Sequence, residues 1–448
     1  MGEKQMSESF HLKRILLDAF AVVAILVAGC FICYNATLYT AGAAQEGYLA
    51  LTNATVLEGE DLEPINRAEV LIKDGTIIEV GEEGKIDIPP GAKVLDLTSY
   101  TLMPGLIDMH VHLGPQTYKA NEEPGILEMP KLVFDWVRFY PDTRRAFLEN
   151  GVTTVRDLGN EHGWIMELRR HLRDGSLEGP RLFAAGPIFT TPGGHPVATF
   201  GVDPASDSVR LPSTTEEARR AVKELASGED RADLIKVVQE RGGPGRDLEP
   251  IAPEVLDAIV TEAHEQGLAV TAHWGTLEDL EDVLAAGVDG LEHVEARAVL
   301  DGWPEDVLDR LVEQNVPITP TLSVTDAVLP PQISSQLRLR VGELYAAGGW
   351  IVVGSDAPIN GVPFGAGVHR ELELLVDCGL TPQEALRAAT IEAARALRTD
   401  SIGAIEPGRA ADLLVVDGDP LQDIKDAQNV VMLFRDGRRV VDCQSRGQ

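Results

Sequence analysis

The sequence predicts an α/β fold: a (β/α)8 TIM-type barrel carrying a small β-sandwich made from both ends of the chain. Three observations carry this. Strand-like apolar runs alternate with helical stretches across residues 103–401, giving eight units in about 290 residues. Residues able to bind metal stand at the ends of five of those runs, where a barrel of this kind keeps its chemistry. Strand-rich segments flank the alternating region, at 47–102 and at 402–445.

Taken in order, the chain opens with Lys13-Arg14 and then an apolar run, residues 15–34, broken only by Asp18. A basic flank before an apolar core is the pattern of a secretory signal or a signal anchor. Ala41-Gly42-Ala43 offers a cleavage point. Val27-Ala28-Gly29-Cys30 resembles a lipoprotein cleavage box, but Phe31-Ile32-Cys33-Tyr34 is more apolar than the usual tether. A retained anchor is the third reading, its length marginal for spanning. These readings make residues 1–44 a signal peptide or membrane anchor, and the retained form would attach the protein to a membrane through residues 15–34. Each places the body outside the cytoplasm. An amphipathic terminus without such a role is the remaining alternative.

The 448-residue chain carries a net charge of −32. Its first 43 residues are neutral, with Glu3, Glu8 and Asp18 against Lys4, Lys13 and Arg14, so the acidity belongs to the body. That argues against nucleic acid or an anionic membrane surface as the main partner. A small molecule is the partner class left by that argument, and the sequence leaves a homo-oligomer open. The four cysteines form no disulfide framework. The single Cys-x-x-Cys, Cys30 to Cys33, sits in the apolar run without a second pair to complete a zinc site.

From Gly47 to Leu102 the pattern is short strands, at 48–56, 68–73 and 76–80, with Lys73-Asp74-Gly75 as a hairpin turn. Eight candidate barrel strands follow, at 106–112, 153–157, 181–186, 234–238, 269–273, 290–293, 317–320 and 350–356. Helix starts lie between them. Thr214-Thr215-Glu216-Glu217 reads as a capping box. Pro253 suits a first helical turn, and Gly267 its C-terminus. Thr381-Pro382-Gln383-Glu384 combines a cap, a proline and a carboxylate at the third position. Strands return at 402–441, with Asp436-Gly437 as a second hairpin turn, and are expected to join the N-terminal ones.

The polar strand ends carry the chemistry. In an extended run, His110 and His112 share a face, which suits two imidazoles on one metal. Strand four holds Lys236, strand five ends in His273, strand six in Glu292-His293 and strand eight in Ser355-Asp356. An ammonium inside an apolar strand is costly unless it is paired or neutral. Lys236 therefore either ion-pairs, with Glu240 as the nearest candidate, or takes up carbon dioxide as a carbamate whose oxygens bridge two cations. Asp356 can ligate a metal and accept a proton. Its alternative is a helix cap, and for His273 or His293 the alternative is a buried, hydrogen-bonded ring.

Pro104-Gly105-Leu106-Ile107-Asp108-Met109-His110-Val111-His112 resembles the signature of the amidohydrolase superfamily. So does Ile405-Glu406-Pro407-Gly408-Arg409-Ala410-Ala411-Asp412-Leu413-Leu414-Val415-Val416. Thr153 to Gly159 and Pro192-Gly193-Gly194-His195 are similar to the imidazolonepropionase-related branch that contains prolidase-like dipeptidases. The resemblance implies a binuclear centre: His110, His112 and Asp356 on one metal, His273 and His293 on the second, and carbamylated Lys236 bridging. Lys236 separates the chain from imidazolonepropionase itself. His195 falls in a loop where the family contacts substrate, and its alternative is a histidine facing water. Tyr118 and Arg241 follow strand ends and could meet a substrate carboxylate.

The implied activity is metal-assisted hydrolysis of a C–N amide bond, with a dipeptide or N-acyl amino acid as preferred substrate. Two divalent cations are expected, and zinc fits the nitrogen and oxygen ligands best, ahead of manganese, cobalt or iron. A cyclic amidase, a lactonase or a phosphotriesterase could use the same site. A non-catalytic metal-binding protein is the alternative outside enzymes.

Overall fold

The structure, a computed structural model, describes residues 40–114, 141–243 and 245–443. The signal or anchor expected at residues 15–34, and Tyr118, lie outside the described residues. Among the described residues no helix is long and apolar enough to cross a membrane.

The N-terminal strands are β1 (Tyr48–Glu58), β2 (Glu63–Lys73), β3 (Thr76–Glu82), β4 (Lys93–Asp96) and β5 (Thr101–Pro104). The body follows with β6 (Leu106–Val111), β7 (Val152–Asp157), β8 (Arg181–Ala184), β9 (Ile188–Phe189), β10 (Val209–Arg210) and β11 (Leu234–Gln239). It continues through β12 (Gly242–Gly243), β13 (Arg246–Asp247), β14 (Ala269–Trp274), β15 (Gly290–Glu292) and β16 (Ile318–Thr319). The chain ends in β17 (Leu413–Val416), β18 (Val430–Arg435) and β19 (Arg438–Asp442).

The two ends of the chain do join. β17 pairs antiparallel with β5, from Leu413 opposite Pro104 to Val416 opposite Thr101. The strands expected to form a small sandwich are linked in one eight-stranded sheet in the order β19-β18-β17-β5-β1-β2-β3, with β4 also on β1. The reason lies in β1, which runs for 11 residues. Its first half pairs with β4 and its second half with β5, so one long strand serves both neighbours. Leu51, Val56, Val70, Ile72, Leu102, Leu413 and Val415 are fully buried against one another.

Both expected hairpin turns form. Asp74 and Gly75 have φ of 49° and 83°, and Asp436 and Gly437 have 48° and 71°. Left-handed residues in both central positions are what a two-residue hairpin needs. The two turns abut: a Cβ on Gly75 would stand 2.7 Å from the Asp436 carbonyl oxygen. Glycine is required there by space as well as by conformation.

In the body, all strand pairing outside the short β12–β13 hairpin is parallel. β6-β7-β8 form one sheet and β10-β9-β11-β14-β15-β16 another. The eighth run expected at 350–356 makes isolated bridges only, Ile318 with Ile351 and Val111 with Ala357. Even so, its Val353 carbonyl accepts from Met109 N–H at 2.9 Å, and Asp356 N–H donates to the His110 carbonyl at 2.8 Å. The segment thus lies between β16 and β6 and joins the two sheets. Its ladder is interrupted because Gly354 is followed closely by Asp356 at φ 56°, a left-handed conformation that ends extended pairing.

The helix starts behave as their residues dictate. Thr381 and Glu384 complete a reciprocal capping box at Pro382–Ala388. At Thr215–Leu225 the Thr214 hydroxyl accepts from Glu217 N–H, but the Glu217 carboxylate turns instead to the backbone and hydroxyl of Ser213. Pro253 opens Pro253–Glu265, and Gly267 follows it at φ 70°.

Candidate metal centre

The strand register brings the predicted histidines together. His110 and His112 project the same way from β6 and its end, and their Nε2 atoms stand 3.3 Å apart. Asp356 Oδ1 lies 3.4 Å from both nitrogens. His110, His293 and Asp356 each offer one donor atom, all within 4.8 Å of one another. The His293 ring centroid is 4.9 Å from that of His110 and 4.8 Å from that of His273. His195 stacks on His273 at 5.1 Å with the planes 15° apart.

Lys236 lies on β11, next to β14. It is 2% exposed, and its Nζ has no hydrogen-bond partner among the described residues. Burial is the main cause that brings its pKa down to about 8, with Arg156 adding to the fall and the Glu292 and Asp356 charges opposing it. The expected alternative, an ion pair with Glu240, does not form. Glu240 faces Arg297 at 3.1 Å and His273 Nε2 at 3.4 Å instead.

Three of the imidazoles, His110, His195 and His293, are held neutral. Burial lowers His110 to about 4 and His195 to about 3. It also drives His293 well below its ordinary value, helped by the neighbouring rings. His112 is the exception: burial pulls it down, but the hydrogen bond and charge of Asp356 leave it raised. Neutral imidazole is the ligating form.

Several residues that sequence reasoning did not place at the site order the ligands from behind. Glu292 is fully buried and accepts from His110 Nδ1 at 2.8 Å, from Arg156 Nη2 at 2.7 Å and from the Thr271 hydroxyl. The bond to Nδ1 leaves His110 Nε2 facing the cluster. Asp108 accepts from the backbone and hydroxyl of Ser355 at 2.9 and 2.6 Å, which ties β6 to the segment carrying Asp356. His293 Nδ1 pairs with the Thr321 hydroxyl at 2.7 Å.

Arg241 is not brought to the cluster. Its guanidinium is taken up by Asp279, by Asp282 at 2.7 Å and by Glu278 at 3.2 Å, so its donors are committed to the helix Leu277–Ala286. The expectation that it meets a substrate carboxylate is corrected on that ground.

The residues present fit a cation. Lys236 Nζ is buried with no hydrogen-bond partner among the described residues, and Asp356 Oδ1 and His273 Nε2 have only long contacts of 3.4 Å, which is costly in a site with nothing to bind. Residues 101–440 match the model of the Amidohydrolase family. The chain belongs to the amidohydrolase family. It is a metal-binding hydrolase acting on carbon–nitrogen bonds. Among its relatives is an ochratoxinase from Aspergillus niger, 30% identical over 85% of this chain and 83% of the other. An imidazolonepropionase from Pyrobaculum arsenaticum is 28% identical over 80% of this chain and 88% of its own. The solved structure of a Xaa-Pro dipeptidase with bound methionine in its active site superposes with a TM-score of 0.73. It is 26% identical and covers 88% of this chain and 99% of that one.

Proposed function

We propose that this amidohydrolase cleaves the amide bond of a dipeptide or an N-acyl amino acid, using two divalent cations, with zinc as the ion of choice. The observation that carries it is the His110–His293–Asp356 cluster together with two further buried and incompletely paired atoms, Lys236 Nζ and His273 Nε2. His110, His112 and Asp356 would hold one ion, His273 and His293 the other, and Lys236 as a carbamate would lie between them. The lowered pKa of Lys236 supports this, because carbon dioxide adds to the neutral amine. The bound cations would supply a water acidified toward neutral pH and a Lewis acid for the substrate carbonyl.

The chain's own residues do the rest. Glu292 fixes the His110 tautomer. Asp356 accepts a proton from the attacking water and delivers it to the leaving nitrogen as the C–N bond breaks, giving a carboxylic acid and an amine. His195, stacked on His273 at the edge of the cluster, is the residue we assign to substrate contact. The two parallel sheets and the 350–357 segment form the wall of the barrel in this reading, residues 103–401, with the terminal strands as a separate lobe. Residues 15–34 would deliver the body outside the cytoplasm.

The test is a hydrolysis screen of Xaa-Pro and Xaa-Arg dipeptides and N-acyl amino acids, with metal analysis of the same sample. Chelator-sensitive release of an amino acid is expected. Turnover of none of these, or turnover indifferent to chelator, would remove the reading. A cyclic amide is the second substrate class, favoured by the imidazolonepropionase relative.

A further inference from the structure

A second cleft lies at the opposite ends of the same strands. It measures about 540 Å³, within the roughly 300–1,000 Å³ typical of small-molecule sites. Five arginines line it: Arg169, Arg173, Arg181, Arg231 and Arg435. Only three carboxylates, Glu229, Asp233 and Asp436, stand among them. The chain as a whole has 39 basic residues against 71 acidic ones, so this local excess of arginine runs against the composition. We infer that the cleft is a binding site for a small molecule bearing a phosphate or carboxylate group.

The pairing within the cleft shows where such a group would sit. Asp233 neutralises Arg169 at 2.5 Å, and Arg181 lies between Asp412 at 3.2 Å and Asp436 at 2.8 Å. Of the other three guanidiniums, two have no ion pair among the described residues and the third, Arg435, has only a long one. Arg231 gives Nη2 to the Gln266 carbonyl at 2.7 Å, a neutral partner. Arg173 makes no ion pair among the described residues. Arg435 is 5% exposed, and its Nε has no hydrogen-bond partner among the described residues. Its Asp436 neighbour is 3.9 Å away, and its Nη2 reaches only the Leu172 carbonyl at 3.2 Å. A buried guanidinium with an unused N–H is rare in a folded protein unless something completes it. An oxyanion does so with two parallel hydrogen bonds, the geometry that arginine prefers.

The three short-changed arginines come from separate parts of the fold. Arg435 ends β18 of the terminal sheet, Arg173 ends the helix His162–Arg173, and Arg231 precedes β11. A ligand held by all three would tie the terminal sheet to the body. The site is also distinct from the metal centre. Leu268 lines the cleft and stands just before β14, whereas His273 is near that strand's far end. Five residues of strand separate them by roughly 16 Å.

The experiment titrates inorganic phosphate and, separately, succinate into the full-length, metal-loaded protein, followed by calorimetry and by thermal unfolding. The comparison is the double variant Arg173→Glu, Arg231→Glu, in which both altered residues are exposed and remote from the ligand cluster. The wild type should bind at least one of the two anions saturably, weaken with added salt, and unfold at higher temperature when bound. The double variant should lose at least about tenfold in affinity while keeping its hydrolytic activity. Preference for phosphate assigns a phosphorylated ligand, and preference for succinate a polycarboxylate. Absence of saturable binding by either anion, or equal binding by the double variant, which would locate the anion at the metal centre, overturns the proposal.

Discussion

Glu292→Gln is the sharpest perturbation of the centre that leaves every proposed ligand in place. Three donors converge on this buried carboxylate: His110 Nδ1 at 2.8 Å and, on the other oxygen, Arg156 at 2.7 Å and the Thr271 hydroxyl. A glutamine offers one oxygen and one NH2 group. With the oxygen toward Arg156 and Thr271, its NH2 faces His110 and forces the imidazole proton onto Nε2, the atom that must ligate. With the oxygen toward His110, its NH2 collides with the Arg156 donor. Either way the Arg156 charge, 5% exposed, loses its counterion. Removing one partner of a buried ion pair costs about 3–5 kcal/mol. Disturbing the outer partner of a ligating histidine typically weakens metal binding about 10–100-fold.

The pH dependence follows from the sign of the shift. Burial opposes the Glu292 charge, but Arg156 and His110 outweigh it and hold the pKa well below the usual carboxylate range. A depressed acid contributes stability that is fully present above its unfolded pKa of about 4.3 and fades as pH falls toward the folded value. The gap between wild type and Glu292→Gln should therefore be level from neutral pH to about pH 5 and narrow in stronger acid. Urea unfolding of the metal-free proteins across that range measures it. A gap under about 1 kcal/mol at pH 7, or one that widens in acid, would refute the reasoning.

Two further outcomes follow from neighbouring residues. Asp356→Asn keeps the shape and removes the proton acceptor, so turnover should fall at least about 100-fold. Its thermal midpoint should stay within a few degrees of the wild type, and steady-state kinetics beside a melting curve checks both. Gly354→Ala places a Cβ 2.3 Å from Thr319 Cγ2 and 2.9 Å from His110 Cβ. It should cost about 1–3 kcal/mol of stability and lower metal affinity by shifting His110, although residue 354 binds nothing itself. Equilibrium metal titration would show the second effect, and unaltered affinity would contradict it.

The clustering of the histidines was legible because strand alternation is a strict rule. His110 and His112, two apart on one strand, must face the same way, and their nitrogens stand 3.3 Å apart. The joining of the chain's two ends was legible from flanking strands and two Asp-Gly turns. Glu292 was not, for a physical reason: adjacent residues on a strand point to opposite faces, so Glu292 and His293 should not serve one site. His293 adopts φ 69°, which ends the strand and turns its ring back to the cluster that Glu292 supports. The same kind of turn at Asp356 interrupts the eighth run. Arg241 misled because its three carboxylate partners lie some 40 residues downstream, where no local pattern announces them.

The most direct test of the account is elemental analysis of the dialysed full-length protein, wild type against Lys236→Ala. Two divalent ions per chain are predicted for the wild type, with ions and turnover both lost from the variant, because in the proposed centre a Lys236 carbamate would hold the two ions together. A wild type that hydrolyses its substrate without bound metal, or a Lys236→Ala protein with undiminished ions and turnover, would contradict it.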